Sequence, residues 1–254
     1  MCEEMSTFAA MNTDNLLKTA IRAAIEAGLD IMAIYDDPAA DLEVERKADN
    51  SPLTRADKAA HARIVSYLEP TGIPVLSEEG THLPYSIRRN WHRLWIVDPL
   101  DGTKEFIKRN GEFTVNIALV ENGVPVLGVI YVPVKQQLYH SKMEMKEVAP
   151  RPFTVVASRS HLSPETAAFI EELRKEHPDL ELISSGSSLK ICLVAEGKAD
   201  IYPRHAPTME WDTAAGDAIA RAAGCIVMDA QTGTPLVYNK EDLHNPWFIV
   251  SRVE

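Results

Sequence analysis

Cysteine is scarce in this sequence. Its 254 residues include three, Cys2, Cys192 and Cys225, an odd number without C-x-x-C spacing. This pattern favours neither a disulfide framework nor a zinc site, and a reducing compartment is the simpler interpretation. The first residues also lack a basic start followed by an apolar run, and no uncharged stretch is as long as a membrane span. We therefore expect a cytoplasmic protein without a transmembrane segment, for which peripheral attachment to the inner face of a membrane would leave no sequence signal.

Positive charge is also in short supply. The sequence sets 26 Lys and Arg against 37 Asp and Glu, a formal net charge of -11. A nucleic-acid polymer normally needs clustered basic residues that displace counterions from its phosphates, so this class of partner is disfavoured. An acidic protein can still bind a small phosphorylated molecule if some of its carboxylates hold divalent cations.

The apolar residues predict a mixed α and β fold in the N-terminal half. Helical spacing indicates a helix over residues 15–35, and Thr54 with Asp57 forms a capping box for a second helix that ends before Pro70. Short apolar runs predict strands at 73–76 and 94–97 and a hairpin over 113–132 that turns at Asn122-Gly123.

The C-terminal half repeats this mixture. We expect helices at 164–176, 189–196 and 213–223, and strands at 180–183 and 247–251. A further strand is expected to end at residue 203. Residues 142–152 read as a loop. The expected fold class is therefore mixed α and β, and this loop is where two halves of the chain could divide.

An acidic segment follows the strand at 94–97. It reads Asp98-Pro99-Leu100-Asp101-Gly102-Thr103. Two unpaired carboxylates are costly to bury at a strand end, whereas Mg²⁺ prefers oxygen ligands such as Asp98, Asp101 and the carbonyl of Leu100. Gly102 and Thr103 then open a predicted helix whose N–H groups form a seat for phosphate. A solvent-exposed turn explains the same residues.

Two further acidic clusters are ambiguous by themselves. Glu78 and Glu79 follow an apolar run, but consecutive glutamates are usually a solvated loop. Asp212 stands near the start of a predicted helix, where aspartate is a common N-cap. The capping box accounts for Asp57 in the same way, without any chemistry.

Taken in order, the three clusters resemble the signature of the inositol monophosphatase superfamily of lithium-sensitive phosphatases. That signature is an acidic pair after a strand, D-P-[LI]-D-G-[ST], and a later W-D-x-x-A-G, found here at residues 77–79, 98–103 and 211–216. Residues 47–54, 101–116 and 186–190 are similar to its bacterial 3'(2'),5'-bisphosphate nucleotidases. The resemblance spans residues 15–251 and departs from the pattern after Tyr139, where a longer segment containing glycine is expected.

The resemblance implies an α/β layered sandwich of two intimately packed subdomains, residues 1–142 and 143–254. It also implies Mg²⁺-dependent removal of a phosphate from adenosine 3',5'-bisphosphate, which yields AMP and links the protein to sulfate assimilation. Two or three ions would be held by Glu78, Asp98, Asp101, Asp212 and the carbonyl of Leu100, and Asp57 with Thr103 would activate water. The residues expected to bind the substrate are Glu78, Leu100, Asp101, Gly102, Thr103, Lys104, Ser188, Lys190, Arg204 and Asp212. Lys190 and Arg204 would neutralise the 5'-phosphate, with surface cations as the alternative interpretation.

Two rival functions stay open. An inositol or sugar phosphatase of the same superfamily would share the metals but not the pocket, and residues 104–116 and 186–190 favour the nucleotide. A non-catalytic metal-binding scaffold would keep only the fold, and the intact acidic positions and threonine argue against it. The oligomeric state cannot be read from the sequence.

Overall fold

Two five-stranded sheets form the frame of the protein in this computed structural model, which describes residues 12–37, 39, 42, 44–46, 52–81, 83–144, 149–158 and 163–253. A two-stranded ribbon comes before them, made of β1 (Glu45–Arg46) and β2 (Pro52–Leu53). The strands of the first sheet are β3 (Val75–Ser77), β4 (Arg93–Asp101), β5 (Thr114–Glu121), β6 (Val124–Val132) and β7 (Gln137–His140). They lie side by side in chain order, with β3 parallel to β4 and the other pairs antiparallel.

The second sheet is built from the C-terminal half. Its strands are β8 (Thr154–Ser158), β9 (Glu181–Ser185), β10 (Ile201–Arg204), β11 (Cys225–Asp229) and β12 (Phe248–Arg252). They lie in the order β11-β12-β10-β8-β9, with β8 parallel to both of its neighbours. The sequence pattern did not predict β7 and β11. Both are edge strands, which are short and need only one hydrogen-bonded neighbour.

Helices cover the faces of the two sheets. They are α1 (Thr13–Tyr35), α2 (Arg55–Leu68), α3 (Tyr85–Arg88), α4 (Thr103–Ile107), α5 (Pro164–Glu176), α6 (Leu189–Ala195) and α7 (Glu210–Ala222). The predicted capping box of α2 is confirmed, because Thr54 Oγ1 accepts from the N–H of Asp57 while Asp57 Oδ2 accepts from the N–H of Thr54. The hairpin between β5 and β6 turns at Asn122 and Gly123, which both have positive φ as expected for its turn type.

Alternation of side chains along the strands produces five layers. On β4, Trp95 and Val97 pack against α1 and α2, whereas Leu94 and Ile96 belong to the core that contains α6, α7 and the inner face of the second sheet. The outer face of that sheet packs against α5, around Ile170. The layers are therefore helices, sheet, helices, sheet and helix, which confirms the predicted α/β layered sandwich.

Some sequence predictions concern residues that the structure does not describe, or are not tested by it. Cys192 and Cys225 are buried and free, while Cys2 and residues 47–51 of the nucleotidase-like segment lie outside the described part of the chain. Within that part, no helix combines the length and the apolar character needed to cross a bilayer. The division into subdomains at residue 142 stays a prediction.

Candidate active site

A β-bulge in β4 brings two aspartates to the same face of the first sheet. Asp98 pairs with Asn116 of β5 and Asp101 with Thr114, so three steps along β4 match two along β5. Residues three apart in a regular strand point to opposite faces, and the extra residue of a bulge removes that mismatch. The segment after residue 97 is thus a bulge inside β4, which runs on to Asp101, and not the solvent-exposed turn of the alternative interpretation.

Helix α7 supplies a third aspartate from the second half of the chain. The helix begins at Glu210, three residues earlier than predicted, with Met209 as its N-cap. Asp212 is therefore the third helical residue, and the expectation that it is the N-cap was wrong. Its Oδ2 accepts a hydrogen bond from the N–H of Met209 at 2.8 Å, so it still satisfies a donor at the helix start.

The three aspartates form a compact acidic cluster. Carboxylate oxygens of Asp98, Asp101 and Asp212 all lie within 4.8 Å of one another. Burial, and then the charges of Glu78, Asp101 and Asp212, raise the pKa of Asp98 well above its usual value. Burial and the neighbouring Asp101 raise the pKa of Asp212 to about 8. Such mutual repulsion is relieved by a divalent cation, and an all-oxygen donor set fits a hard ion.

Glu78 borders the cluster through Asp98. The parallel pairing of β3 with β4 places Ser77 opposite Val97, and the next N–H, that of Glu78, donates to the carbonyl of Val97 at 3.1 Å. The carboxyl groups of Glu78 and Asp98 are joined by a hydrogen bond. The structure therefore brings the fourth predicted carboxylate to the same place as the other three.

Leu100 and Thr103 continue the site beyond the bulge. The N–H of Leu100 donates to Asp98 Oδ1 at 3.1 Å, and the carbonyl of Leu100 accepts from the Thr103 hydroxyl at 3.4 Å. The same hydroxyl lies 3.3 Å from Asp57 Oδ1. Asp57 thus acts as a helix cap through one oxygen and contacts the site through the other, so its two interpretations are compatible.

Gly102 is required where the two halves of the chain meet. Its φ is +94°, and a Cβ at this position would lie 3.1 Å from the carbonyl oxygen of Glu112 and 3.3 Å from Cβ of Ser187. A side chain would therefore be strained and would push the loop before α6 away from the acidic cluster.

A cavity of about 140 Å³ adjoins the cluster on the side of the second sheet. On the side of the acidic cluster it is lined by Asp101, Asp212, Gly102, Lys104 and Ser188. Its other wall is formed by Lys190, Tyr202 and Arg204. Negative and positive side chains therefore share one cavity.

Lys190 is buried in this wall, with 5% of its surface exposed, so its interpretation as a surface cation was wrong. Its Nζ donates to the carbonyls of Ser187 at 2.6 Å and Ser185 at 3.4 Å, and it lies 5.5 Å from the centre of the Tyr202 ring. Burial lowers the pKa of Lys190 to about 8. Arg204 is half-buried, and its Nε has no hydrogen-bond partner among the described residues although it is shielded from water.

The sequence pattern of the inositol monophosphatase family matches residues 12–247. The chain belongs to this family. The family is metal-dependent, and the cluster of three aspartates supplies oxygen ligands that are able to hold a metal ion.

Relatives within the inositol monophosphatase family agree with this assignment. The 3'(2'),5'-bisphosphate nucleotidase CysQ of Escherichia coli O157:H7 is 48% identical over 251 residues, which cover 93% of this chain and 99% of the relative. The protein of the same name from Haemophilus influenzae is 33% identical over 256 residues, 93% of each chain. The crystal structure of CysQ from Bacteroides thetaiotaomicron is 57% identical, with a TM-score of 0.85 and coverage of 94% of this chain and 98% of that one.

Sequence reasoning missed three residues that lie beside the acidic cluster or the cavity. Thr114 and Asn116 are fully buried polar residues on β5, directly across from Asp101 and Asp98. Tyr202 faces Lys190 across the cavity wall. Two polar residues within an otherwise apolar strand were the available signal for Thr114 and Asn116, because burial without a partner is unfavourable.

Proposed function

We propose that this protein is a Mg²⁺-dependent 3'(2'),5'-bisphosphate nucleotidase that converts adenosine 3',5'-bisphosphate to AMP and phosphate. The observation that carries the proposal is the shared cavity, in which the acidic cluster faces the cationic wall of Lys190 and Arg204. Cations held by the carboxylates suit the phosphate that is cleaved, and the basic side chains suit the phosphate that stays. A substrate with a single phosphate would make no use of the cationic wall. The names of the CysQ relatives support the same substrate class.

The proposed metal ligands are Glu78, Asp98, Asp101, Asp212 and the carbonyl of Leu100, for two or three Mg²⁺ ions. When bound, Mg²⁺ acidifies water and neutralises the charge that develops on phosphoryl and leaving oxygens. The hydrogen bond from the N–H of Leu100 fixes the carboxylate of Asp98, and the bond from the N–H of Met209 fixes that of Asp212. The ligands are thereby oriented before an ion arrives.

Asp57 and Thr103 are the proposed pair that removes a proton from the attacking water. The 3.3 Å contact between Thr103 Oγ1 and Asp57 Oδ1 allows the hydroxyl to pass its proton to the carboxylate while it takes one from water. The water oxygen then forms a bond to phosphorus, and the bond from phosphorus to the 3' oxygen of the ribose breaks. The leaving oxygen takes its proton from solvent, and the N–H groups of Gly102 and Thr103 bind the phosphoryl oxygens.

Lys190 and Arg204 are the proposed ligands of the 5'-phosphate, with Lys104 at the rim of the cavity. An ammonium group has three donors, and two of those on Lys190 point to the carbonyls of Ser185 and Ser187. The third is left for a phosphate oxygen. The buried Nε of Arg204 supplies a second donor that lacks a partner among the described residues. Contact of Ser188 with the nucleotide stays a prediction.

The test compares phosphate release from adenosine 3',5'-bisphosphate and from inositol 1-phosphate, each with Mg²⁺ and with EDTA. We expect release from the nucleotide to be faster and to stop in EDTA. A preference for inositol 1-phosphate would overturn the substrate but keep the chemistry. Absence of release from both would overturn the enzymatic proposal.

A pair of variants tests the metal ligands. Asp101→Asn should abolish Mg²⁺-dependent turnover, because an amide is a weaker ligand for a hard cation than a carboxylate. Asp200→Asn is the control, since Asp200 precedes β10 and pairs with Arg151, which precedes β8. Undiminished turnover in Asp101→Asn would contradict the assignment.

A further inference from the structure

One carboxylate oxygen of Asp101 is held entirely by protein donors. Oδ2 accepts from the N–H of Ser188 and from the Ser188 hydroxyl, both at 2.6 Å, whereas Nδ2 of Asn116 lies 3.5 Å from it, at the outer limit of a hydrogen bond. Such short hydrogen bonds to a charged acceptor are the strong ones. This oxygen is therefore directed towards α6, and Oδ1 is the oxygen available to a metal ion.

The Ser188 hydroxyl is itself oriented by a residue on β5. Nδ2 of Asn116 donates to Ser188 Oγ at 2.8 Å, and Oδ1 of Asn116 accepts from the hydroxyl of Thr114 at 2.9 Å. All three side chains are buried, with at most 4% of their surface exposed. Thr114 and Asn116 face this way because they occupy the register positions opposite Asp101 and Asp98.

The direction of these hydrogen bonds decides where the hydroxyl proton goes. A serine hydroxyl has one proton and two acceptor lone pairs. Because Asn116 donates to the oxygen, the proton of Ser188 is free for Asp101 or for the carbonyl of Asp212 at 2.8 Å, and the charged acceptor at 2.6 Å is the stronger. A reversed amide would accept the proton instead and take it away from Asp101. The donation from Thr114 to Oδ1 keeps the amide in the productive orientation.

We infer that Asn116 is a positioning residue, which acts through the Ser188 hydroxyl to hold Oδ2 of Asp101 and so presents Oδ1 alone to the metal. This inference rests on the proposed function, because it takes Asp101 to be a metal ligand. It also gives Ser188 the role of orienting Asp101, which is independent of the predicted contact between Ser188 and the nucleotide. Partners that orient a ligand in this way typically change metal affinity or activity by about 10–100-fold when they are removed.

The experiment measures Mn²⁺ binding to the substrate-free protein by electron paramagnetic resonance, together with the melting temperature in EDTA. We expect Asn116→Leu and Ser188→Ala each to weaken Mn²⁺ binding by about 10–100-fold. The double variant should bind no more weakly than the weaker of the two single variants, because Asn116 acts through the serine hydroxyl. Effects that multiply in the double variant would overturn the inference, as would wild-type affinity in Asn116→Leu.

A second pair of variants covers the case in which Asn116→Leu does not fold. Thr114→Val removes the donor that orients the amide and should weaken Mn²⁺ binding in the same direction. Thr154→Val is its matched control, since Thr154 is equally buried on β8 and donates to the carbonyl of Pro152 at 2.9 Å. Equal weakening in both would show a general effect of losing a buried hydroxyl and would overturn the inference.

The outcome also separates this inference from the proposed function. If the wild-type protein binds Mn²⁺ and releases phosphate, and Asn116→Leu binds Mn²⁺ with the same affinity, only the positioning role of Asn116 is overturned. If the wild-type protein binds no Mn²⁺ and releases no phosphate, both the positioning role and the proposed function are overturned.

Discussion

The hydroxyl of Thr103 lies 3.3 Å from Asp57 Oδ1, the carboxylate oxygen that the cap of α2 does not use. The other oxygen accepts from the N–H and the hydroxyl of Thr54 at 2.7 and 2.5 Å. The helix cap therefore fixes the orientation of Asp57, so that Oδ1 faces Thr103. A structural role and a catalytic one depend on the same side chain.

This contact predicts different outcomes for two substitutions at Thr103. Thr103→Ser keeps the hydroxyl and should retain most of the turnover. Thr103→Val removes it and should lower kcat by about 10²–10⁴-fold, the usual contribution of a general base. The measurement is phosphate release at saturating nucleotide and Mg²⁺. Equal kcat values for the two variants would exclude the hydroxyl from the proton path.

The cationic wall predicts a substrate-dependent effect at Arg204. Arg204→Met should lower kcat/KM for adenosine 3',5'-bisphosphate by about 10–100-fold, since a hydrogen bond to a charged group contributes about 1.5–3 kcal/mol. Turnover of adenosine 3'-monophosphate should not change, because this molecule lacks the 5'-phosphate. Arg174→Met on α5 is the control, as Arg174 pairs with Glu171 on the helix surface. An equal loss of kcat/KM with both substrates would contradict the assignment of Arg204 to the 5'-phosphate.

The acidic cluster predicts an unusual dependence of stability on pH. Burial raises the pKa of Asp98, and it raises the pKa of Asp212 to about 8, from a usual value of 3.8. A folded-state pKa above the unfolded value stabilises the protein below the unfolded pKa, and this stabilisation is lost as the pH rises through the folded pKa. In EDTA, the free energy of unfolding should therefore fall between the unfolded pKa of 3.8 and about pH 8, by at most about 1.4 kcal/mol per pH unit for each titrating carboxyl.

Urea denaturation at several pH values checks this prediction. Saturating Mg²⁺ should abolish the decline, because the ion replaces the protons that neutralise the cluster. Asp212→Asn should reduce the decline in EDTA, since it removes one titrating group. The same decline with Mg²⁺ and with EDTA would contradict a metal site at the cluster.

Local chemistry explains which parts of this fold were readable from the sequence. The capping box at Thr54 and Asp57 involves residues three apart, and α5 begins at Pro164 directly after its N-cap, Ser163. Such signals are contained within one turn of chain. The turn at Asn122 and Gly123 was predictable for the same reason.

The features that the sequence did not reveal depend on distant partners. The bulge after Asp98 exists only relative to the register of β5, and the start of α7 before Asp212 does not follow from helical periodicity alone. Lys190 on α6 is buried against Tyr202, which comes from β10 of the second sheet. The candidate ligands were found because the family motif records the result of these contacts.

Close packing between β6 and α7 predicts that Gly128 is irreplaceable. A Cβ on Gly128 would overlap the backbone carbonyl oxygen of Ala215 and lie 3.0 Å from Cβ of Ala218, so Gly128→Ala should destabilise the protein by about 3 kcal/mol and weaken Mg²⁺ activation by displacing Asp212. Gly72→Ala is the control: φ is +70° and nothing lies within 4 Å, so it should cost about 1 kcal/mol and leave Mg²⁺ activation unchanged. Thermal melting and Mg²⁺ titration of turnover distinguish the two, and a normal Mg²⁺ response in Gly128→Ala would contradict the link.

The position of α7 between the two sheets also sets an order of events during synthesis. The ribosome completes the first sheet before it makes α7, so the face that carries Leu94, Ile96 and Ala118 stays uncovered for that interval. Uncovered apolar sheet faces are the surfaces through which nascent chains aggregate. The helix that ends this exposure also delivers Asp212, so the growing chain acquires protection from aggregation and a complete acidic cluster in the same step.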